Sequence, residues 1–161
     1  MNLEQYLEQR CKLVDQTLKQ LLTDHDAAPR TLNKAMQYSL FSGGKRIRPI
    51  LALATGEAVG ARPTRVLPFA CALEMIHSYS LVHDDLPAMD DDDLRRGKPT
   101  NHKVFGEAMA ILAGDGLLTE AFRIMAQGAL RRGQDRTAAL QAIWEVAAGA
   151  GMAGMVGGQV A

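Results

Sequence analysis

An apolar run from Phe69 to Val82 ends abruptly in His83-Asp84-Asp85, and the next stretch, to Gly97, brings the total to six aspartates with two arginines. The run is of helix length, so the chain must set a dense group of carboxylates at the rim of a buried helix. Like charges at this density repel unless a counter-ion is present. A solvated acidic loop is the ordinary outcome for a charge run. Here the cluster closes a long apolar helix rather than a polar tail, and Arg95-Arg96 stand beside it. Oxygen-only ligands suit a hard cation such as Mg2+, which takes one or two carboxylates and completes its shell with water and substrate phosphates. Arginine grips oxyanions with paired N–H donors. Carboxylates and arginines together describe a site for a phosphorylated substrate. His77 stands seven residues before Asp84, close to two helical turns, so the two share a face.

Bulk properties keep the electrostatics local. Lys plus Arg equals Asp plus Glu at 18 each, which argues against nucleic acid or an anionic membrane as partner. The 161 residues, 47% hydrophobic, suffice for a single helical domain over 1–161, though a small one to enclose a long ligand. Cys11 and Cys71 lie far apart on apolar helix faces and read as reduced core thiols. Met1 to Arg10 is polar, without the apolar segment of a signal peptide. No membrane span is expected, because Ala138 to Ala161 is interrupted by Gln141, Glu145, Gln159 and several glycines.

Periodicity places the helices. Leu3, Tyr6, Leu7, Val14, Leu18, Leu21 and Leu22 recur at helical spacing over Asn2–Leu22. A loop over Thr23–Pro29 follows, and Thr31 is placed to cap a helix over Leu32–Phe41. Gly43-Gly44 breaks that helix. Lys45 and Arg48 then flank the start of the next, with Pro49 in its first turn, a plausible anion site at the positive end of the dipole. A nucleotide-type phosphate loop is excluded, since Ser39 occupies its first glycine position and Arg46 follows the lysine. Ile50–Val59 continues the helix, Arg62-Pro63-Thr64 reads as a turn, and Val66–Asp85 as the buried helix. Gly97–Lys103 reads as a loop, Val104–Leu130 as one long helix with Gly106, Gly114 and Gly116 at close helix contacts, and Thr137–Gly149 as another. Gly149–Gln159 is expected to be a kinked or tightly packed helix. No strand alternation is visible, so the fold class is all-α, a bundle of six or seven helices.

Asp84-Asp85-x4-Asp90 with Leu94-Arg95-Arg96-Gly97 resembles the first aspartate-rich motif of the trans-isoprenyl diphosphate synthases, in its bacterial form with Pro87-Ala88-Met89 inside it. The resemblance extends to Phe41-Ser42-Gly43-Gly44-Lys45-Arg46-Ile47-Arg48-Pro49, Ile76-His77-Ser78-Tyr79, Phe105-Gly106-Glu107 and Gly157-Gly158-Gln159. It implies an isoprenoid-synthase-type helical bundle and a Mg2+-dependent condensation of isopentenyl diphosphate with an allylic diphosphate, giving farnesyl diphosphate. By resemblance, Asp84 and Asp90 are the metal-binding aspartates, with Asp85 a third candidate. Lys45, Arg48, His77 and Arg96 hold isopentenyl diphosphate, Arg95 contacts the allylic diphosphate, and Tyr79 limits product length. Asp84, Asp90 and Arg95 carry the catalysis. A wheel puts Tyr79 about 140° from Asp84, so its role comes from the resemblance alone. The resemblance also implies a cytoplasmic homodimer acting on small isoprenyl diphosphates, without membrane insertion.

Members of that family run to about twice this length and carry a second aspartate-rich motif, a Lys-Thr pair and a Gln in their other half. The acidic residues after Gly97 are isolated: Glu107, Asp115, Glu120, Asp135 and Glu145. The chain is therefore expected to be the first half of such a domain, truncated, with apolar faces of the Val66 and Val104 helices uncovered. The alternative is a non-catalytic helical partner or regulatory subunit that keeps the family's first half.

Overall fold

The structure, a computed structural model, describes residues 2–23 and 29–160. In order these form α1 (Leu3–Thr23), α2 (Arg30–Leu40), α3 (Ile47–Ala58), α4 (Pro63–Asp84), β1 (Leu94–Arg95), β2 (Lys98–Pro99), α5 (Asn101–Phe105), α6 (Glu107–Ala129), α7 (Arg136–Ala150) and α8 (Met155–Gly158). The bundle is all-α apart from the hairpin. Most of the loop expected over Thr23–Pro29 lies outside the described residues.

Helix α4 is the axis of the bundle. Its buried residues, among them Ala70, Ala72, Met75, Ile76, Tyr79 and Val82, face every direction. That is why it reads as an apolar run and not as a stripe. Helix α1 contributes Val14, Leu18 and Leu22 to the same core, α2 Leu40, α3 Leu53, and α6 Leu117, Ile124 and Met125. Helix α6 runs antiparallel to α4: Gly114 lies against His83 near the end of α4, and Gly128 against Pro68 near its start. A Cβ at Gly114 would come within 2.1 Å of His83 Nε2, and one at Gly116 within 3.0 Å of the Met36 sulfur of α2. These two glycines are close-approach points, as their cost in helix propensity suggests.

A paired substitution separates the two effects of a helical glycine. Alanine gains about 1 kcal/mol of helix propensity over glycine, while overpacking a tight contact costs about 1–3 kcal/mol. Gly149, on α7, has nothing within 4 Å of its would-be Cβ. Gly149→Ala should therefore raise the denaturation midpoint slightly. Gly114→Ala, which collides with a ring held by the Ile111 carbonyl, should lower it by an amount worth about 1–2 kcal/mol. A stabilising Gly114→Ala would mean that α4 and α6 pack less closely than described.

Several local expectations are corrected. Pro63 begins α4 at its first position instead of sitting in a turn, where its missing N–H costs nothing. Thr31 lies inside α2, whose N-cap is Pro29 without a side-chain cap. Gly106, at φ 85, splits the expected Val104–Leu130 helix into α5 and α6 and has no close neighbour for a Cβ. The 94–99 segment is an antiparallel hairpin pairing Leu94 with Pro99 and Arg95 with Lys98. Its central residues Arg96 and Gly97 both have positive φ, 55 and 75, as a type I′ turn requires. The 136–158 stretch is long and apolar enough to cross a membrane by length and composition. In the structure it breaks after Ala150 into a turn and the short α8. Exposed apolar side chains concentrate on this segment, at Leu140, Trp144, Met152 and Val156, with Ile111 and Leu112 of α6. Helix α4, expected to share that exposure, is covered.

Candidate functional site

Two carboxylates at the C-terminal end of α4 oppose the helix dipole, which favours cations there. The chain after α4 turns sharply to supply more of them. Asp90 N–H donates to the Asp84 carbonyl at 2.8 Å, and Met89 and Asp91 donate to the Leu86 carbonyl at 2.9 and 3.1 Å. Leu86 anchors this turn by packing with Val82 and Ala110. The Asp90 carboxylate is thereby brought near Asp84. Burial, then the charges of Asp90 and Asp85, against the pull of Arg95 and His83, push the Asp84 carboxyl above its ordinary pKa.

The six aspartates divide by partner. Arg95 Nε donates to Asp85 Oδ1 at 2.7 Å, its Nη2 lies 2.5 Å from the same oxygen, and Nη2 reaches Asp92 at 3.4 Å. Lys103 pairs with Asp93 at 2.7 Å. Asp84 and Asp90, like Asp91, make no ion pair with a basic side chain among the described residues. The two residues named for metal from the sequence are thus among those that lack a direct ion-pair partner among the described residues. No cluster of three or more His, Cys, Asp or Glu able to hold a metal forms among the described residues. Two carboxylates with open coordination fit Mg2+, which keeps waters and phosphate oxygens in its shell. Asp85, the third candidate, is 3% exposed and bound to Arg95. Its structural task is to orient that guanidinium.

The basic residues gather elsewhere, from three elements. Lys45, Arg48, His77 and Arg96 line one cavity of about 390 Å3, between the start of α3, α4 and the hairpin turn. His77 is held below its usual pKa by burial and by Arg48, Arg96 and Arg95, with Glu74 opposing. Three arginines thus act on this ring, against one carboxylate. Arg96 reaches it because its Nη1 donates to the Gly43 carbonyl and its guanidinium passes over Gly44. A Cβ at Gly44 would sit 2.5 Å from Arg96 Nη1, so glycine is needed there for space as well as for its φ of 137.

Apolar space joins the two charged ends. One cavity of about 350 Å3 is walled by Tyr79, Leu86, Met89, Ile111 and Met155, with Asp84 and Gln159 among its polar residues. A second, of about 600 Å3, shares Ser80 and Met155 with it and Arg48 and His77 with the basic cavity. Tyr79, 7% exposed, stands edge-on to His83 with ring centroids 5.6 Å apart. It therefore lines the same cavity as Asp84 despite their separation on the wheel. Beside α4, a cationic pocket thus leads through apolar space to Asp84.

A sequence profile described as polyprenyl synthetase matches residues 29–159. The chain belongs to the polyprenyl synthetase family. The farnesyl diphosphate synthase of Geobacillus stearothermophilus is 54% identical over 161 residues, covering 100% of this chain and 54% of that protein. The large subunit 1 of a heterodimeric geranylgeranyl pyrophosphate synthase of Arabidopsis thaliana chloroplasts is 47% identical, over 96% of this chain and 41% of its own. Among solved structures, a geranyltransferase from Legionella pneumophila superposes with a TM-score of 0.91 at 40% identity, over 98% of this chain and 55% of that one. The chain spans about half the length of the curated relatives it matches.

Two features of this polyprenyl synthetase chain escaped the sequence reading. Arg46, between the two expected anion-binding cations, is buried at 4% exposure and paired with Asp15 and Glu74. Three cations within four residues give no sign that the middle one turns inward. Gln159 was noticed only as part of a motif, and it lines the cavity that Asp84 borders.

Proposed function

We propose that this chain supplies the diphosphate-binding half of a farnesyl diphosphate synthase-like prenyltransferase. One observation carries the reading: a cationic pocket bordered by His77 of α4, and a carboxylate pair made by Asp84 at the end of α4 and Asp90 in the turn after it, have apolar space between them. Two diphosphate heads and a hydrocarbon tail match those three regions in charge and polarity. Lys45, Arg48, His77 and Arg96 bind the isopentenyl diphosphate. Arg95, oriented by Asp85, contacts the allylic diphosphate. Asp84 and Asp90 would hold Mg2+, which would supply Lewis-acid neutralisation of the leaving pyrophosphate.

The chain's own groups then hold the reactants in line. The allylic C–O bond breaks, the isopentenyl double bond attacks the allylic cation, and loss of a proton completes the condensation. Tyr79, Leu86 and Met155 wall the cation off from water. Arg95 stabilises negative charge as it builds on the departing group. The assembly is a cytoplasmic homodimer. The Arabidopsis relative named as part of a heterodimer makes a solution mass the direct check. A purely non-catalytic partner is the less supported reading, since the relatives are named for catalysis.

Separate titrations of isopentenyl diphosphate and of a non-hydrolysable geranyl diphosphate analogue with Mg2+ test the two heads independently. Each charge-assisted hydrogen bond is worth about 1.5–3 kcal/mol, or about 10- to 150-fold in Kd. Arg48→Ala should weaken the first ligand by that factor and leave the second within threefold. Asp84→Ala should do the reverse. Loss of both ligands in both variants would refute the division into two sites.

A further inference from the structure

Arg46 sits inside the run that furnishes Lys45 and Arg48, yet it points away from solvent. It caps the start of α3 with φ 51 and ψ 34, a left-handed conformation that side chains other than Gly, Asn and Asp rarely adopt. Its Nε donates to Asp15 on α1 at 2.9 Å, its Nη1 to Glu74 on α4 at 2.7 Å, and its Nη2 to the carbonyl of Leu40, the last residue of α2, at 2.7 Å. One guanidinium therefore fixes the start of α3 against three other helices. Glu74 stands three residues before His77, and Arg46 and Glu74 both border the cavity that Lys45, Arg48 and His77 line.

The charge balance argues against Arg46 as a ligand itself. Its single positive charge faces two carboxylates, so the cluster adds no positive field to the cavity. What it adds is position. We infer that Arg46 is a positioning residue: its buried fork to Asp15, Glu74 and Leu40 holds the left-handed turn that aims Lys45 and Arg48 into the diphosphate cavity beside His77. This rests on the proposed use of that cavity for a diphosphate. Arginine is required because its rigid planar fork spreads donors over three nitrogens that reach three separated acceptors, whereas lysine offers its donors from one compact nitrogen.

The test is the affinity of the 161-residue chain for inorganic pyrophosphate without Mg2+, measured by calorimetry where circular dichroism shows each variant folded. Arg46→Lys keeps the charge and should weaken binding at least tenfold with the helical signal retained. Asp15→Ala gives a test of sign. Its partner carboxylate is 37% exposed, lies on another helix and does not line the cavity. Removing that negative charge favours an anion on Coulomb grounds, whereas the positioning account expects affinity to fall threefold or more. Asp15→Ala binding as tightly as the unaltered chain, or tighter, overturns the inference, as does a folded Arg46→Lys within threefold. A variant that only lowers the midpoint of unfolding while binding normally marks Arg46 as purely structural. No saturable pyrophosphate binding by the unaltered chain defeats the reading of the cavity and this inference with it. Normal binding by that chain with unaffected variants defeats the inference alone.

Discussion

A polypeptide of these 161 residues is expected to condense isopentenyl and allylic diphosphates at least about a thousandfold more slowly than the farnesyl diphosphate synthase of Geobacillus stearothermophilus, to which it is 54% identical. The resemblance implies that the leaving pyrophosphate is clamped by metals held from two facing aspartate motifs. These residues supply one, at Asp84 and Asp90. Losing the opposite ligands should cost about 4 kcal/mol or more of transition-state stabilisation, which corresponds to about three orders of magnitude in rate. The apolar faces on α7 and α8 sharpen the expectation. Leu140 at 65% exposure and Trp144 at 66%, with Met152 at 89% between the two helices, present apolar surface to solvent. Such a face also favours self-association. Incorporation of labelled isopentenyl diphosphate by a preparation of verified intact mass measures the rate. Robust turnover would show that copies of this chain rebuild the site between them.

In a protein containing both halves, Tyr79→Ala should shift the products to longer chains. Tyr79 is almost fully buried and its ring stands at the wall of the cavity that Asp84 borders. A tail growing away from the carboxylates is expected to meet that ring. The effect is steric, so Tyr79→Phe should leave product length unchanged. Truncating a large buried aromatic costs up to about 3–5 kcal/mol, and the open cavity on one side of this ring makes that an upper bound. Product analysis by chromatography at a temperature well below the variant's midpoint decides it. An unchanged product spectrum in Tyr79→Ala would make the residue a packing element alone.

How much of this was legible follows from the range of the interactions concerned. Asp84, His77 and the apolar run of α4 lie within a few turns of one another, so helical spacing alone aligns them. Lys45, Arg48, His77 and Arg96 were joined by resemblance, and the structure places all four on one cavity. The hairpin was missed because Arg96 occupies a left-handed position normally signalled by Asn or Asp before Gly. Its arginine is held there by the Gly43 carbonyl, 53 residues away. Arg46 was missed for a similar reason, since its partners Asp15 and Glu74 are 31 and 28 residues distant. Gly106 was read as a packing glycine inside one helix, whereas it breaks the chain between α5 and α6. Glycine serves both purposes, and only the backbone dihedral separates them.

Asp84 and Asp90 are proposed to await a cation, and the affinity for pyrophosphate with and without Mg2+ measures this directly. The Asp84 carboxyl, pushed up by burial and by Asp90, gains a counter-charge when the metal enters, so metal and anion should bind together. In calorimetric titrations near neutral pH, Mg2+ is expected to tighten pyrophosphate binding by about tenfold or more, equivalent to about 1.4 kcal/mol, and Asp84→Ala is expected to abolish that gain. Equal affinity with and without Mg2+, or a gain that survives Asp84→Ala, would contradict it.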